Sequence, residues 1–244
     1  MPDVSKCDLV VFAAHPDDAE LTCGGTLLVA RRQGWSTAIV DVTRGELGSL
    51  GTPEVRAREA QDAAQKLGLN ERRNLGLPDG HVRDCDEYRL AVVRAIRELQ
   101  PRVVIAPPRD DHHPDHMAVS ELVRQSFYLC GIRKYLPDVP AHRPRSLLHY
   151  VGSRSASPQI VVDVSDVFDG KMEAIQCYRS QFEGEKDSPT LRINQSYFLD
   201  SIRGHARHYG ALIGVPRGEA FTSDVPLPVA DLVGLFDEDP WRSR

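Results

Sequence analysis

Residues 8–20 read DLVVFAAHPDDAE, and residues 102–116 read RVVIAPPRDDHHPDH. Each stretch is an unbroken apolar run of strand length that ends in a His-Pro-Asp turn. Runs with no polar alternation belong to strands covered on both faces, the habit of parallel sheets flanked by helices. Working outward from the two runs, strand-like and helix-like patterns alternate. Strands are predicted at 8–14, 36–43, 73–77 and 102–108, with helices at 20–34, 54–68, 87–100 and 114–130, several of them stopped by Gly34, Gly68, Pro101 or Gly131. Such βαβα alternation predicts an α/β fold with a doubly wound, mostly parallel, Rossmann-like sheet.

After Gly131 the alternation breaks. A proline-rich loop at 134–145 precedes two further strands, SLLHYVG (146–152) and PQIVVDVS (158–165), and helical patterns cover 167–182 and 195–209. The expectation is one domain over 1–244, with a core at 1–131 and a C-terminal β/α extension at 132–244. Chain length permits this, since single cores grow to about 250 residues.

Composition narrows the function classes. A net charge of −5 with scattered Lys and Arg leaves no basic stripe for nucleic acid. The sequence contains no run of 18 apolar residues, and its start, MPDVSKCDLVVFAAH, lacks the basic-then-apolar layout of a secretion signal, so a cytoplasmic protein without a membrane partner is expected. Five widely spaced cysteines without a Cys-x-x-Cys pair predict reduced thiols rather than a disulfide framework or a zinc knuckle.

The chemistry lies in the two turns. In a doubly wound sheet, ligands bind beyond the carboxyl ends of the strands where the strand order reverses, which in a 3-2-1-4 order falls between strands 1 and 4. AAHPDD leaves strand 1 and PPRDDHHPDH leaves strand 4, so His15, Asp17, Asp18, His113, Asp115 and His116 are expected to share one crevice. Catalytic zinc takes three protein ligands from His, Asp or Glu and keeps one position open. His15, Asp18 and His116 form such a set, and Pro16 and Pro114 fix φ where each turn bends. Asp17 is the candidate base, and His113 the candidate donor to a developing oxyanion or leaving amine, with Asp115 expected to hold the His113 ring. Structural readings compete, since Asp before a helix is commonly an N-cap. Two such clusters at adjacent strand ends favour the metal reading.

AHPDDAELTCGGTL followed by HPDH resembles the LmbE-like (PIG-L) zinc-dependent deacetylases, which remove acetyl from N-acetylglucosamine-containing substrates, and the resemblance covers nearly the whole chain. TRGELGSLGTPEVRAREA, NLGLPDG, GIRKYLPDVPAHRP, YRSQF and GEAF are similar to the subgroup that deacetylates N-acetylglucosaminyl malate in bacillithiol biosynthesis. The resemblance implies the same roles for His15, Asp17, Asp18, His113 and His116, one Zn²⁺ per chain with Fe²⁺ or another divalent ion as a substitute, and a homo-oligomer, up to a hexamer. It further implies substrate contact by Arg56 and by Tyr197, the latter at the carbonyl oxygen. One departure concerns the residue before HPDH, an arginine in the subgroup and His112 here; Arg109 is then the candidate for the malate carboxylates, with Arg56 or Arg44 beside it.

Three rivals are weighed. Asp-His-His in DDHHPD occurs in two-metal manganese phosphoesterases, which would need bridging carboxylates such as Asp41 and Asp79. A nucleotide- or sugar-binding module is disfavoured because GELGSLG (45–51) follows strand 2 and departs from G-x-G-x-x-G. Nucleophilic catalysis has no G-x-S-x-G, and Cys23 has no neighbouring base in sequence.

Overall fold

The computed structural model describes residues 6–152, 157–182 and 197–234. Its elements run β1 (Leu9–Ala13), α1 (Asp18–Arg32), β2 (Thr37–Thr43), α2 (Pro53–Leu67), β3 (Glu71–Leu77), α3 (Asp86–Leu99), β4 (Val103–Ala106) and α4 (Pro114–Leu129). There follow β5 (Ser146–Tyr150), β6 (Ile160–Asp163), a 3₁₀ turn (Ser165–Val167), α5 (Phe168–Ile175), α6 (Arg179–Phe182), α7 (Phe198–Leu212) and β7 (Gly218–Ser223). The strands form one sheet in the order β3-β2-β1-β4-β5-β7-β6. The first five are parallel, and β7 runs antiparallel to both β5 and β6. This is the expected α/β class, with β1 and β4 side by side at the reversal of strand order.

β1 shows why its sequence is uniformly apolar. Val10, Phe12 and Ala14 pack with Val92, Ile96 and Val119 on one side of the sheet, while Leu9, Val11 and Ala13 pack with Cys23 and Leu27 on the other. Neighbouring residues of a strand face opposite ways, so a doubly covered strand must be apolar at every position. The helices are seated closely. A Cβ on Gly25 would lie 2.7 Å from Val164, so the glycine inside α1 permits contact with the turn before α5.

The C-terminal part departs from expectation in two places. The 167–182 helix is split: α5 ends at Ile175 and α6 begins at Arg179, and the break buries Tyr178, whose hydroxyl donates to Glu20 Oε1 at 3.0 Å. The stretch GEAFTS forms β7, a strand that alternation did not predict, inserted between β5 and β6. The first residues of the 195–209 helix, 195 and 196, lie outside the described residues; within them α7 runs to Leu212. The loop after α4 is held by Arg97, fully buried, which donates to the carbonyls of Cys130, Ile132, Leu136 and Val139. None of the five cysteines forms a disulfide. No helix among the described residues is long and apolar enough to cross a membrane.

Candidate metal centre and catalytic cavity

The turn after β1 is held in an uncommon conformation. Asp17 caps α1 with φ of 112° and ψ of −31°, a region that residues with a Cβ seldom occupy. Two contacts hold it there. Asp18 Oδ2 accepts from the backbone N–H of His15 at 2.9 Å, and Arg56 donates to Pro16 O at 2.6 Å with the same Nη2 atom 3.4 Å from Asp17 Oδ1. Arg56 reaches this position across Gly45, where φ is +66° and a Cβ would collide with the guanidinium.

The turn after β4 is ordinary. His113 is extended, with φ of −87° and ψ of 122°, and its Nδ1 accepts from the backbone N–H of Asp115 at 3.3 Å as the cap of α4. Asp111 accepts from the His113 N–H at 3.1 Å and steadies the approach. Since a backbone N–H can only donate, His113 Nδ1 carries a lone pair, and the proton of the neutral ring sits on Nε2.

The two turns converge. Asp18 Oδ2 is 3.3 Å from His15 Nδ1 and 3.3 Å from His116 Nε2. Ring nitrogens of His15, His113 and His116 come within 4.8 Å of one another, and the ring centroids of His113 and His116 are 4.8 Å apart. Behind the rings stand further carboxylates. His15 Nε2 is 3.0 Å from Asp79 Oδ1 and 3.3 Å from Asp115 Oδ2, and His116 Nδ1 is 3.4 Å from Asp111 Oδ2. Histidines that ligate metals commonly turn their remote nitrogen to a carboxylate in this way, which fixes the ring and leaves the near nitrogen free.

Charge balance supports the fit. Burial opposes charge on both rings, yet hydrogen bonds to Asp115, Asp18 and Asp79 hold His15 well above the ordinary histidine value. For His116 burial again opposes charge, and Asp18 and Asp111 overcome it, to about 10. Burial would raise Asp18, but His116 and His15 together hold it well below the usual carboxylate range. The cluster thus favours positive charge. A divalent cation would supply that charge with His15 Nδ1, Asp18 Oδ2 and His116 Nε2 as its donors. Two imidazoles and a carboxylate suit Zn²⁺, and Fe²⁺ or Co²⁺ as well.

Beside this cluster Asp17 is buried, and the loss of solvent pushes its carboxyl up to about 7, against the pull of Arg56. His113 moves the other way: burial, His15 and His116 lower its pKa, so it stays neutral.

A cavity of about 700 Å³ opens over the cluster, within the range of small-molecule sites. His15, Asp17, Asp18, Arg56, His113, His116 and Tyr197 line it. Three expectations need correction. Asp115 does not hold the His113 ring through its carboxylate: as the second residue of α4 it gives its backbone N–H to that ring, while Asp115 Oδ2 faces His15 and accepts from Gly80 N at 2.7 Å. Arg109 lies outside the cavity wall, 60% exposed and 3.1 Å from Asp224 Oδ1, because its side chain leaves the β4 turn toward β7; His112 lines the cavity in its stead. Of the two carboxylates that the two-metal rival would draw on, Asp79 stands beside His15 together with Asp115, whereas Asp41 on β2 is gripped by Arg72 at 2.8 and 2.9 Å. Arg44 is exposed and does not line the cavity.

Sequence reasoning missed Asp79 and Asp111 as supports of the histidines. Each sits in a turn that follows a strand, in LPDG and in PPRDDHH, and that position was the available signal. It also missed Lys171 and Glu219, a buried pair on the cavity wall 2.6 Å apart, for which neighbouring sequence offers no cue.

The fold and the convergent donors define a hydrolase-type centre at the switch point of a doubly wound sheet, and the comparisons agree. The sequence pattern of the PIG-L family, described as GlcNAc-PI de-N-acetylase, matches residues 10–127. A probable N-acetyl-alpha-D-glucosaminyl L-malate deacetylase 2 of Bacillus cereus is 29% identical over 204 residues, 76% of this chain and 88% of that protein. The crystal structure of the conserved protein TT1542 from Thermus thermophilus is similar with a TM-score of 0.84 at 40% identity, covering 93% of this chain and 98% of that one. The N,N'-diacetylchitobiose deacetylase of Pyrococcus horikoshii follows with a TM-score of 0.77 at 25% identity, covering 96% and 86%. The chain belongs to the PIG-L (LmbE-like) family of N-deacetylases.

Proposed function

We propose that this protein hydrolyses the acetamide of an N-acetylglucosaminyl conjugate to acetate and a free amine, using a divalent cation, Zn²⁺ in the first instance, held by His15, Asp18 and His116. The observation that carries the reading is the placing of Asp18 Oδ2 at 3.3 Å from one near nitrogen of each histidine while the remote nitrogens face other carboxylates. Bound there, such an ion supplies Lewis acidity, polarising a carbonyl and lowering the pKa of water.

The chain's own groups divide the proton work. Asp17, with a carboxyl near neutrality, takes a proton from the attacking water and passes it to the departing amine nitrogen. His113, neutral and carrying its proton on Nε2, donates to the carbonyl oxygen as negative charge develops there. Asp79 and Asp115 orient His15, and Asp111 orients His116. Arg56 sustains the Asp17 conformation, and Tyr197, 59% exposed on the cavity wall, is assigned to the substrate's carbonyl side.

The Bacillus cereus relative supports N-acetylglucosaminyl malate as one such conjugate. The cavity wall, in which Arg56 is already paired with Asp17 and from which Arg109 is absent, supports an acceptor without carboxylates.

The test is acetate release from N-acetylglucosamine, diacetylchitobiose and N-acetylglucosaminyl malate, with chelator and after restoring Zn²⁺ or Fe²⁺. Release that chelator abolishes and metal restores is expected. Release insensitive to chelator, or none from any conjugate alongside Mn²⁺-dependent phosphodiester cleavage, overturns the reading.

A further inference from the structure

Away from the metal centre the cavity changes character. Phe198, Ile202, Ala206 and Tyr209 of α7 line it at spacings of four, four and three residues, which places them in one stripe along the helix. Leu21 of α1 and Ala220 of β7 line it as well. The α7 stripe spans 11 residue steps, roughly 16 Å of helix at about 1.5 Å per residue, longer than one sugar ring needs.

Charges on this wall are already matched. Among the described lining residues the side chains with a fixed positive charge are Arg56 and Lys171. Arg56 is bound to Pro16 O, Gly45 O and Asp17. Lys171, 3% exposed, donates to Glu219 Oε1 at 2.6 Å. Glu219 in turn accepts from Gly25 N, Thr26 N and Thr26 Oγ1 at 2.6–2.9 Å, so the pair is anchored to α1 and Lys171 is not available to a ligand. Among the described residues five carboxylates, Asp17, Asp18, Asp79, Asp111 and Glu219, line the same cavity. Each of these carboxylates already faces an imidazole, Arg56 or Lys171, so a dianionic acceptor such as malate would be desolvated there with no open cation to meet it among the described residues, a costly placement for charge.

We infer that the part of the cavity along α7 is an acceptor subsite for an uncharged, apolar aglycone, an aryl or alkyl group carried on the N-acetylglucosaminyl unit. This rests on the deacetylase reading, since the sugar must present its acetamide to His15, Asp18 and His116 for the aglycone to lie along α7. An apolar group entering there meets the edges that the largely buried Ile202, Ala206 and Tyr209 turn to the cavity, and leaves the hydrogen bonds of Lys171 and Glu219 intact.

The test is a binding measurement on the metal-loaded protein with ligands that lack the acetyl group and so cannot turn over. Calorimetry compares glucosamine, phenyl glucosaminide and glucosaminyl malate. Phenyl glucosaminide is expected to bind at least tenfold more tightly than glucosamine, and glucosaminyl malate no more tightly than glucosamine. Ile202→Ala, or Ile202→Val should the larger truncation of this buried residue disturb folding, is expected to lower the affinity for phenyl glucosaminide relative to that for glucosamine. Equal affinities for glucosamine and phenyl glucosaminide, or a preference for the malate conjugate that weakens with salt, overturn the subsite. Acetate release from the N-acetylated forms separates the two claims: release from all three with the malate form preferred leaves a deacetylase with a different subsite, whereas no release from any form removes the deacetylase reading itself.

Discussion

The two His-Pro-Asp turns look alike in sequence and are built differently. The second, at His113–His116, is an ordinary helix start: an extended cap residue, proline as the first helical residue and a ring nitrogen accepting the backbone N–H of Asp115. The first, at His15–Asp18, places Asp17 at a φ of 112° and buries its carboxylate, with no side-chain cap on α1. A non-glycine residue in such a region costs about 1–3 kcal/mol and persists only where its surroundings impose it. Here Arg56 and the Asp18–His15 contact impose it. In the proposed centre the unstrained turn is assigned one ligand and a neutral donor through common capping, while the strained turn is assigned two ligands and a carboxyl pushed up to about 7. Strain is found where two adjacent aspartates must face different tasks.

The largest test of this contrast is removal of a ligand from either turn. His15→Ala and His116→Ala should each yield protein that retains no metal after dialysis, with acetate release at the level of chelated parent protein. Metal analysis by mass spectrometry decides it, and full metal content in either variant would break the proposed ligand set. The next effect separates neighbours in the strained turn. Asp17→Asn should keep its metal and lose turnover by about 10²–10⁴-fold, the range for a positioned acid–base group. Metal loss matching that of His15→Ala would make Asp17 a ligand and erase the division of labour between Asp17 and Asp18.

Much of this site was legible because strand ends and turns are local features. The apolar runs located β1 and β4, and strand order then brought His15, Asp17, Asp18, His113 and His116 together. What was not legible depended on contacts between distant segments. β3 begins at Glu71, earlier than its apolar residues suggest, because as an edge strand it carries Glu71, Arg72 and Arg73. β7 contains a glycine and a buried glutamate, and what makes it a strand lies far off in the chain: its pairing with β5 and β6, with Glu219 held by Lys171, Gly25 and Thr26. Asp115 was assigned to the nearer histidine in sequence, whereas the start of α4 turns its carboxylate to His15, 100 residues away. Arg109 was judged by its distance along the chain from HPDH, and the pairing of Asp224 with it is a tertiary fact.

A smaller effect tests the relaxed turn. His113→Ala should lower kcat by about 10²–10³-fold, the range for loss of one donor to a developing oxyanion, with metal content unchanged. His113→Gln, which retains an N–H donor, should recover part of that loss. Equal defects in both variants would mean that the ring acts by capping α4 through its Nδ1 rather than by donating to substrate.

The smallest effect compares how the two turns are supported from behind. His15 leans on two carboxylates, Asp79 at 3.0 Å and Asp115 at 3.3 Å, whereas His116 has Asp111 at 3.4 Å. Loss of such a partner typically lowers metal affinity by about 10–100-fold. Where two carboxylates share a ring, the second can keep its orientation and charge after the first becomes an amide. Asp79→Asn should therefore lie near the lower end of that range and Asp111→Asn near the upper end, since Asp111 also accepts the backbone N–H of His113 and steadies the approach to α4. Competition for Zn²⁺ against a chromogenic chelator measures both. If Asp79→Asn is the weaker binder of the two, the strained turn depends on the β3 loop more than on α4, and His15 is held from the edge of the sheet rather than from its centre.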